Sequence, residues 1–193
     1  MKLDDKYWQN RWESDNTPWD IGYASPAIIN HMKVHVDKDA RILIPGCGNA
    51  YEAEALMKLG YNNVHIIDLS STAIDSFRER VPSFPKDHIH CGDFFQIEDQ
   101  FDMVVEQTFF CALNPTMRLD YAKKMSEILV DNGRLIGLLF NIPLNTDKPP
   151  FGGNKEDYET IFAPYFNIIE MDITPNSIKP RAGKELFICL VKN

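Results

Sequence analysis

Acidic residues stand at or just beyond the ends of three apolar stretches of the sequence. A glycine turn follows a fourth apolar stretch. Gly46 and Gly48 lie in Pro-Gly-Cys-Gly, directly after an apolar run. Glycine is needed there because a side chain would block the turn and the approach of a ligand to the backbone. Asp68 ends the next apolar run, about 20 residues beyond Gly48, where a carboxylate can accept both hydroxyls of a ribose. These residues predict a site for an adenosine group.

The positions around the turn restrict which adenosine ligand fits. The dinucleotide fingerprint has a third small residue three positions beyond the second glycine, and Tyr51 occupies that position here. The sequence has no Gly-Lys-Ser or Gly-Lys-Thr for a triphosphate. A ligand without phosphates therefore fits better, and S-adenosylmethionine is the common one. A surface turn without any ligand is the alternative that so short a glycine pattern leaves open.

Two further strand ends carry acidic residues. Asp93 can accept a hydrogen bond from an adenine amino group while the Phe94 ring covers the base. Glu106 ends an apolar run, and a carboxylate in that position needs a partner. Phe109 and Phe110 follow it and either form a wall of the site or pack in the core.

All three tryptophans lie in the first twenty residues of the chain. Trp8 and Trp12 are four residues apart and share one face of a predicted helix, and Trp19 follows in Thr-Pro-Trp-Asp. One interpretation is a cap of residues 1–30 over the site, in which indole faces exclude water and attract a sulfonium cation. The other is an anchor that holds the segment by burial, and the spacing alone favours the anchor.

The elements that would position these residues alternate along the chain. Strands are predicted at 41–45, 64–68, 88–91, 101–106, 133–140, 166–173 and 186–191. Helices are predicted at 51–59, 72–80 and 157–162, with another opening at Asn114-Pro115 and a cap at Ser70 or Ser71. This alternation predicts an α/β fold: a seven-stranded, mostly parallel sheet with helices on both faces and the ligand at the carboxyl ends of the strands. The last two strands should form an antiparallel hairpin, as in Rossmann-like class I methyltransferases.

Length and charge favour one small enzyme domain spanning residues 1–193. The net charge of -8 argues against nucleic acid and against an anionic membrane surface as partners. No signal peptide and no apolar run of about 18 residues occurs, and the four cysteines lack metal-ligand spacing. We therefore expect a cytoplasmic monomer without a metal, acting on a small molecule.

Six motifs in order resemble the thiopurine S-methyltransferase superfamily, and most closely its halide and thiol (thiocyanate) methyltransferase branch. The motifs are Tyr7-Trp8-x-x-Arg11-Trp12, Thr17-Pro18-Trp19-Asp20, Pro45-Gly46-Cys47-Gly48, Asp68-Leu69-Ser70, Gly92-Asp93-Phe94-Phe95 and 109–115. The resemblance runs nearly end to end, and it implies S-adenosylmethionine as cofactor. The residues it implies as cofactor contacts are Trp8, Trp12, Trp19, Gly46, Asp68, Asp93, Phe94 and Glu106.

The resemblance also implies a substrate-facing arginine, which is Arg181 here, although a solvated turn residue is an equal alternative. Asp20 could line the same pocket, and the loop 145–154 could close over it. Most methyltransferases carry an acid two residues before the first glycine, where this chain has Ile44. The methionine amino group is then expected to be held otherwise, by Glu106 and backbone carbonyls.

The implied reaction is methyl transfer to a small soft nucleophile, namely a thiol, bisulfide, thiocyanate or a halide. An anionic acceptor needs no base, which suits a sequence without an evident catalytic dyad; His88 and His90 are interpreted as structural because they lie within a predicted strand. Three alternatives stay open: methylation of aromatic thiopurines, a nicotinamide-dependent oxidoreductase, and a module that binds the nucleoside without catalysis. Tyr51 and the Asp93-Phe94 pair argue against the oxidoreductase.

Overall fold

A computed structural model describes residues 2–193. In that range the strands are β1 (Ile42–Pro45), β2 (Val64–Asp68), β3 (Ile89–Cys91), β4 (Phe101–Gln107), β5 (Leu129–Phe140), β6 (Phe166–Ile173) and β7 (Glu185–Lys192). They form a seven-stranded sheet in the order β3-β2-β1-β4-β5-β7-β6. Neighbours from β3 through β5 pair in parallel, whereas β7 runs antiparallel to both β5 and β6. The predicted sheet and its final hairpin are confirmed, with the last strand inserted between β5 and β6.

Helices cover both faces of the sheet, as predicted. They are α1 (Asp5–Glu13), α2 (Pro26–His35), α3 (Tyr51–Lys58), α4 (Ser71–Arg80), α5 (Arg118–Ile128) and α6 (Lys155–Phe162). One core joins α2, α3 and α4 to the sheet, and a second core joins α5 and α6 to the other face. The Ser70 hydroxyl accepts a hydrogen bond from the backbone N–H of Ala73 at 3.3 Å, so the predicted cap of α4 is confirmed.

Helix α2 was not predicted, and it takes up residues 26–30 of the predicted cap. Pro26 occupies its first turn, and its apolar side chains at Ala27, Ile28 and Met32 are buried in the core. A proline in the first turn costs no hydrogen bond, because that N–H has no partner within a helix. The pattern Ser-Pro followed by apolar residues at helical spacing was the available signal.

Strand β5 begins four positions earlier than the predicted 133. Leu129 pairs with Phe101, the register then shifts, and Arg134 pairs with Met103. Asn132 lies in this irregular stretch with a φ of 61°, a conformation that asparagine tolerates better than most residues. The Gly133 position therefore marks the end of the irregularity and not the start of the strand.

No helix among residues 2–193 is long and apolar enough to cross a membrane.

Candidate functional site

A cavity of about 710 Å³ lies at the carboxyl ends of the central strands. The sequence moves from β1 to β2 on one side and later to β4 on the other, so β1 and β4 border the crevice where ligands bind in such sheets. The predicted residues that line this cavity are Trp8, Trp12, Trp19, Asp20, Gly46, Asp68, Asp93, Phe94 and Arg181. Glu106 is the predicted contact that the structure does not bring into the lining.

The glycine turn is fixed both by its conformation and by its neighbours. Gly46 and Gly48 have φ angles of +55° and +51°, which side chains disfavour. A Cβ at Gly46 would lie 2.3 Å from Cδ2 of Phe109, and one at Gly48 would lie 2.9 Å from Cζ2 of Trp12. Aromatic rings from the loop after β4 and from α1 thus press directly on the turn, and only glycine leaves room for them.

Asp68 connects the end of β2 to the glycine turn. Its Oδ2 accepts a hydrogen bond from the N–H of Gly48 at 2.9 Å, and its Oδ1 accepts one from the N–H of Ser70 at 2.8 Å. Burial raises the pKa of this carboxyl, and the two N–H donors partly oppose that shift. The carboxylate lies in the cavity wall in a single fixed orientation, as a group that receives ribose hydroxyls should.

Asp93 and Phe94 begin the turn after β3. The Asp93 Oδ1 accepts from the N–H of Phe95 at 2.9 Å, which opens a short helix over Phe94–Gln96. Phe94 is buried, and its ring meets that of Phe109 edge to face at 5.3 Å between centroids. Phe94 therefore serves as core and as cavity wall together, and Phe109 stands between it and the glycine turn.

We call residues 4–20 the tryptophan segment. Trp19 lies edge-on to Trp8 and Trp12, with ring centroids 5.6 Å and 6.1 Å apart. The Arg11 guanidinium lies over the Trp19 ring at 5.0 Å. None of the nine residues of α1 is fully buried, and the three indoles are only half-buried. Partly exposed indoles at the cavity are compatible with the cap interpretation, which stays a prediction beside the anchor.

Polar contacts hold the tryptophan segment at both ends. Gln9 in α1 accepts from the Ser70 hydroxyl at 2.9 Å and donates to the Thr72 hydroxyl at 2.5 Å. At the other end the Arg181 guanidinium donates to the carbonyl oxygen of Trp19 at 2.8 Å. The segment is thus joined to the start of α4 and to the loop before β7, 162 residues away in sequence.

Asp20 and Arg181 are more enclosed than free surface residues. The Asp20 carboxylate accepts from the side chain of Asn49 and from the N–H of Gly22. Arg181 pairs with Glu185 at 3.3 Å, and their side chains are 11% and 3% exposed. The alternative that Arg181 is a solvated turn residue is therefore wrong. Whether it faces the acceptor stays a prediction.

Glu106 holds the loop after β4 and does not line the cavity, which corrects its predicted position. Its Oε1 accepts from the N–H groups of Phe109 and Phe110 at 2.7 Å and 2.9 Å, and its Oε2 accepts from the Tyr121 hydroxyl at 2.5 Å. The residue is fully buried, which raises its pKa to about 7 against the lowering effect of those donors. Because both oxygens have partners in the protein, Glu106 fixes the shape of the loop.

Gln107 is a lining residue that the sequence analysis missed. It follows Glu106 at the end of β4, and consecutive strand residues point to opposite sides, so one is enclosed while the next meets the cavity. Its Oε1 atom is buried, and among residues 2–193 no donor lies within hydrogen-bonding distance of it. The strand alternation beside Glu106 was the signal that could have found it.

Neither the two thiols at the cavity nor the two histidines considered from the sequence offer a nucleophile or base. Cys47 and Cys111 line it, and burial raises the pKa of both thiols, so both stay protonated. His88 and His90 do not line it; His88 stacks on His65 with 4.0 Å between ring centroids. The structural interpretation of these two histidines is consistent with their place.

These features fit S-adenosylmethionine. The glycine turn leaves room for backbone approach, Asp68 and Asp93 offer carboxylates to ribose and adenine, and indole faces suit a sulfonium. Gln107, whose buried Oε1 has no partner among residues 2–193, also lines the cavity. The turn 46–50 contains no lysine or arginine that would bind a pyrophosphate.

The strand order and the place of the cavity define the fold of class I methyltransferases. The crystal structure of 1,6-didemethyltoxoflavin N1-methyltransferase from Burkholderia thailandensis, which holds S-adenosylhomocysteine, superposes with a TM-score of 0.79 at 14% identity. The alignment covers 98% of this chain and 87% of that one. At this identity the likeness concerns the fold.

Residues 3–185 match the family model of thiopurine S-methyltransferase, and the chain belongs to this family of S-adenosylmethionine-dependent methyltransferases. Two relatives from Arabidopsis thaliana are a probable thiol methyltransferase 2, 31% identical, and thiocyanate methyltransferase 1, 32% identical. In both comparisons the alignment covers 92% of this chain and 81% of the relative. The predicted family and cofactor are thereby confirmed.

Proposed function

We propose that this methyltransferase acts on a small, soft, anionic nucleophile: a thiolate, bisulfide, thiocyanate or a halide. The observation that carries this proposal is the composition of the cavity wall. Within residues 2–193 no histidine and no lysine lines it, and Asp20, Asp68 and Asp93 already accept hydrogen bonds from the protein. With no histidine or lysine at the wall to act as a general base, we propose that the acceptor arrives already ionised.

The walls suit such an acceptor. When bound, S-adenosylmethionine supplies a methyl group on a positively charged sulfur, which a nucleophile displaces in line. Trp19, Phe109 and Pro150 present apolar surface to the cavity, which removes water from a soft anion at low cost. The tryptophan faces attract a cation, so they favour the sulfonium while excluding solvent.

Charges at the wall favour small acceptors. Asp20, Asp68, Asp93 and Glu52 make the lining acidic, which opposes polyanions. Arg181 is proposed to attract the single negative charge, with Asp20 beside the same space. The ion pair with Glu185 weakens the attraction of Arg181 for an anionic acceptor. A weakly held anion stays free to react once it has lost its water. The names of the two plant relatives, thiol and thiocyanate methyltransferase, support the same acceptor class.

The test is turnover of methyl-labelled S-adenosylmethionine with separate acceptors, with the headspace collected for volatile products. The acceptors are bisulfide, thiocyanate, iodide, a small organic thiol and an aromatic thiopurine. We expect labelled methanethiol, methyl thiocyanate or methyl iodide. A thiol with a pKa of about 8.5 should react faster as pH rises toward that value, whereas iodide should show no such dependence.

Three outcomes would contradict the proposal. Methylation of oxygen or nitrogen acceptors alone would exclude a soft nucleophile, and turnover of the thiopurine alone would favour the aromatic substrate. Tight binding of S-adenosylhomocysteine without turnover of any acceptor would favour a binding module. The variant Gly46→Ala serves as the inactive control, because its Cβ would overlap Phe109 in the cofactor turn.

A further inference from the structure

We propose that Arg80, the last residue of α4, is a positioning residue for the cofactor and holds the glycine turn in its binding shape through the backbone carbonyl of Asn49. Among residues 2–193 Arg80 is not part of the cavity lining, so it acts on a ligand only through the turn. The six sequence motifs do not include it. The inference rests on the family's cofactor and is independent of which acceptor is methylated.

The first observation is an alanine in a glycine-like conformation. Three alternate residues of the turn, Gly46, Gly48 and Ala50, have φ angles of 55°, 51° and 49°. Glycine adopts such angles at little cost, whereas the Cβ of an alanine makes them unfavourable. Ala50 also precedes α3 directly and has no side-chain group that could cap the helix. A conformation of this kind persists only where the surrounding structure holds it.

The second observation is the group that holds this alanine. Nη2 of Arg80 donates a hydrogen bond to the backbone carbonyl oxygen of Asn49, and Nη1 lies 3.5 Å from the Asn49 side-chain oxygen. That carbonyl belongs to the rigid peptide group between Asn49 and Ala50, and the rotation of this group about the N–Cα bond is the φ of Ala50. A charged donor on the oxygen therefore fixes the orientation that the left-handed alanine requires.

The third observation is that the residues after the turn hold Arg80 in turn. Its guanidinium carbon lies 4.7 Å from the ring centroid of Tyr51, and its Nε pairs with Glu54 at 3.1 Å. Tyr51 is the residue that replaces the small side chain of a dinucleotide fingerprint. The two departures from glycine at the end of the turn, Ala50 and Tyr51, are thus both connected to this one arginine.

The same contacts reach the tryptophan segment. The side-chain nitrogen of Asn49 donates to the Asp20 carboxylate, while its oxygen faces Arg80. An anion on one side and a cation on the other determine which way this amide points. The Tyr51 hydroxyl lies 3.4 Å from the same Asp20 carboxylate. Because Asp20, Asn49 and Tyr51 all line the cavity, Arg80 fixes from outside the place where the turn meets the tryptophan segment.

The test measures binding of S-adenosylhomocysteine by titration calorimetry to the native protein, to Arg80→Ala, to Ala50→Gly and to the double variant. We expect Arg80→Ala to weaken binding about tenfold, because the turn must return to the left-handed conformation before the ligand binds. Ala50→Gly alone should stay within about threefold of the native protein, since glycine adopts the same φ without being held. The double variant should bind within about threefold of Ala50→Gly.

The matched control is Arg78→Ala, which removes the same charge from the same helix. Arg78 pairs with Asp75 at 3.0 Å, and its side chain is 47% exposed. Binding by this variant should equal that of the native protein. Circular dichroism and thermal unfolding measure whether each variant is folded. Arg80→Lys keeps the charge but has a single donor group, so its loss of affinity should be smaller and should also disappear with Ala50→Gly.

Two results would overturn the assignment. Native affinity in both Arg80→Ala and Arg80→Lys would mean that the turn keeps its shape without the arginine. A loss of affinity that is the same with and without Ala50→Gly would mean that Arg80 does not act through the left-handed alanine. Because only binding of a product is measured, either result is separate from the identity of the acceptor.

Discussion

Two walls of the same cavity are held in different ways. The floor consists of the glycine turn and the ends of β2 and β4, where close packing and backbone hydrogen bonds fix Gly46 and Asp68. The buried Glu106 holds the loop after β4 from behind the lining. The opposite wall is the tryptophan segment, whose half-buried indoles rest on the floor. Gln9 and the carbonyl of Trp19 supply its polar attachments to α4 and the hairpin loop.

The difference separates what the fold builds from what the ligand completes. The floor is part of the sheet, so its geometry has the stability of the whole domain. The tryptophan segment buries little and relies on a few hydrogen bonds, so it should open locally at a smaller free energy. Ligand binding should therefore change the segment more than the floor.

The largest effect should come from breaking the floor with Gly46→Ala. The left-handed φ costs about 1–2 kcal/mol, and the overlap with Phe109 costs a further amount of about 1–3 kcal/mol. Chemical denaturation measures the stability loss, and calorimetry should show binding of S-adenosylhomocysteine weakened by about a hundredfold or more, which corresponds to ~3 kcal/mol.

Gly60→Ala is the matched control for this variant. Gly60 has a φ of +86°, and a Cβ at this position would have no neighbouring atom within 4 Å, so the substitution tests conformation without overlap. We expect a stability loss of about 1–2 kcal/mol and unchanged cofactor binding. Equal effects of the two substitutions would show that Phe109 does not constrain the turn.

The next effect concerns the tryptophan segment. Protease cleavage after Arg11 requires the segment to open, and ligand at about 100 times its Kd should suppress the open form about a hundredfold, or ~2.7 kcal/mol. Cleavage products followed by mass spectrometry give the rate with and without S-adenosylhomocysteine. Saturating NAD is the control and should leave the rate unchanged.

If S-adenosylhomocysteine does not slow this cleavage, the tryptophans return to the anchor interpretation. The tryptophan segment would then be as resistant to local opening as the floor, and the two walls would not differ in local stability.

The smallest effect is the pH dependence of the folding stability that arises from Glu106. Its folded-state pKa of about 7 lies above the ordinary glutamate value of about 4.3. Between these values the folded state binds the additional proton, so this group's contribution to stability falls as pH rises. Glu106→Gln keeps an acceptor for the two N–H groups and does not titrate.

Denaturation of the two proteins between about pH 5 and pH 7 measures this contribution. The stability of Glu106→Gln relative to the native protein should increase with pH across the window. Tyr121→Phe removes a donor that favours the ionised carboxyl, so it should move the window to higher pH. A difference that stays constant with pH would mean that Glu106 is already ionised at pH 5.

Much of the floor could be predicted from the sequence because its chemistry is local. Gly46, Asp68 and Asp93 stand at strand ends, where a short spacing relates the residue type to the part of the ligand it meets. The apolar runs also predicted all seven strands of the sheet, and the buried parallel strands among them read as continuous apolar segments.

Other features depended on contacts that no local pattern records. The Ser-Pro start of helix α2 was visible in the sequence, but only the structure shows that its apolar face packs against the sheet. Glu106 was assigned to the ligand because a strand-end acid has the same appearance whether it faces a cavity or the loop beyond it. Which of Glu106 and Gln107 meets the cavity follows from the side of the sheet on which each side chain lies.

The sequence by itself determined the family, the cofactor and the places of Gly46, Asp68 and Asp93 at the strand ends, because these follow from residue types at fixed spacings. The tertiary structure decided what presses on the turn, where the Glu106 carboxylate lies, and how the tryptophan segment is fastened. The contact between Trp19 and Arg181 spans 162 positions. Such a contact arises only when the folded sheet brings the two ends of the chain to one cavity.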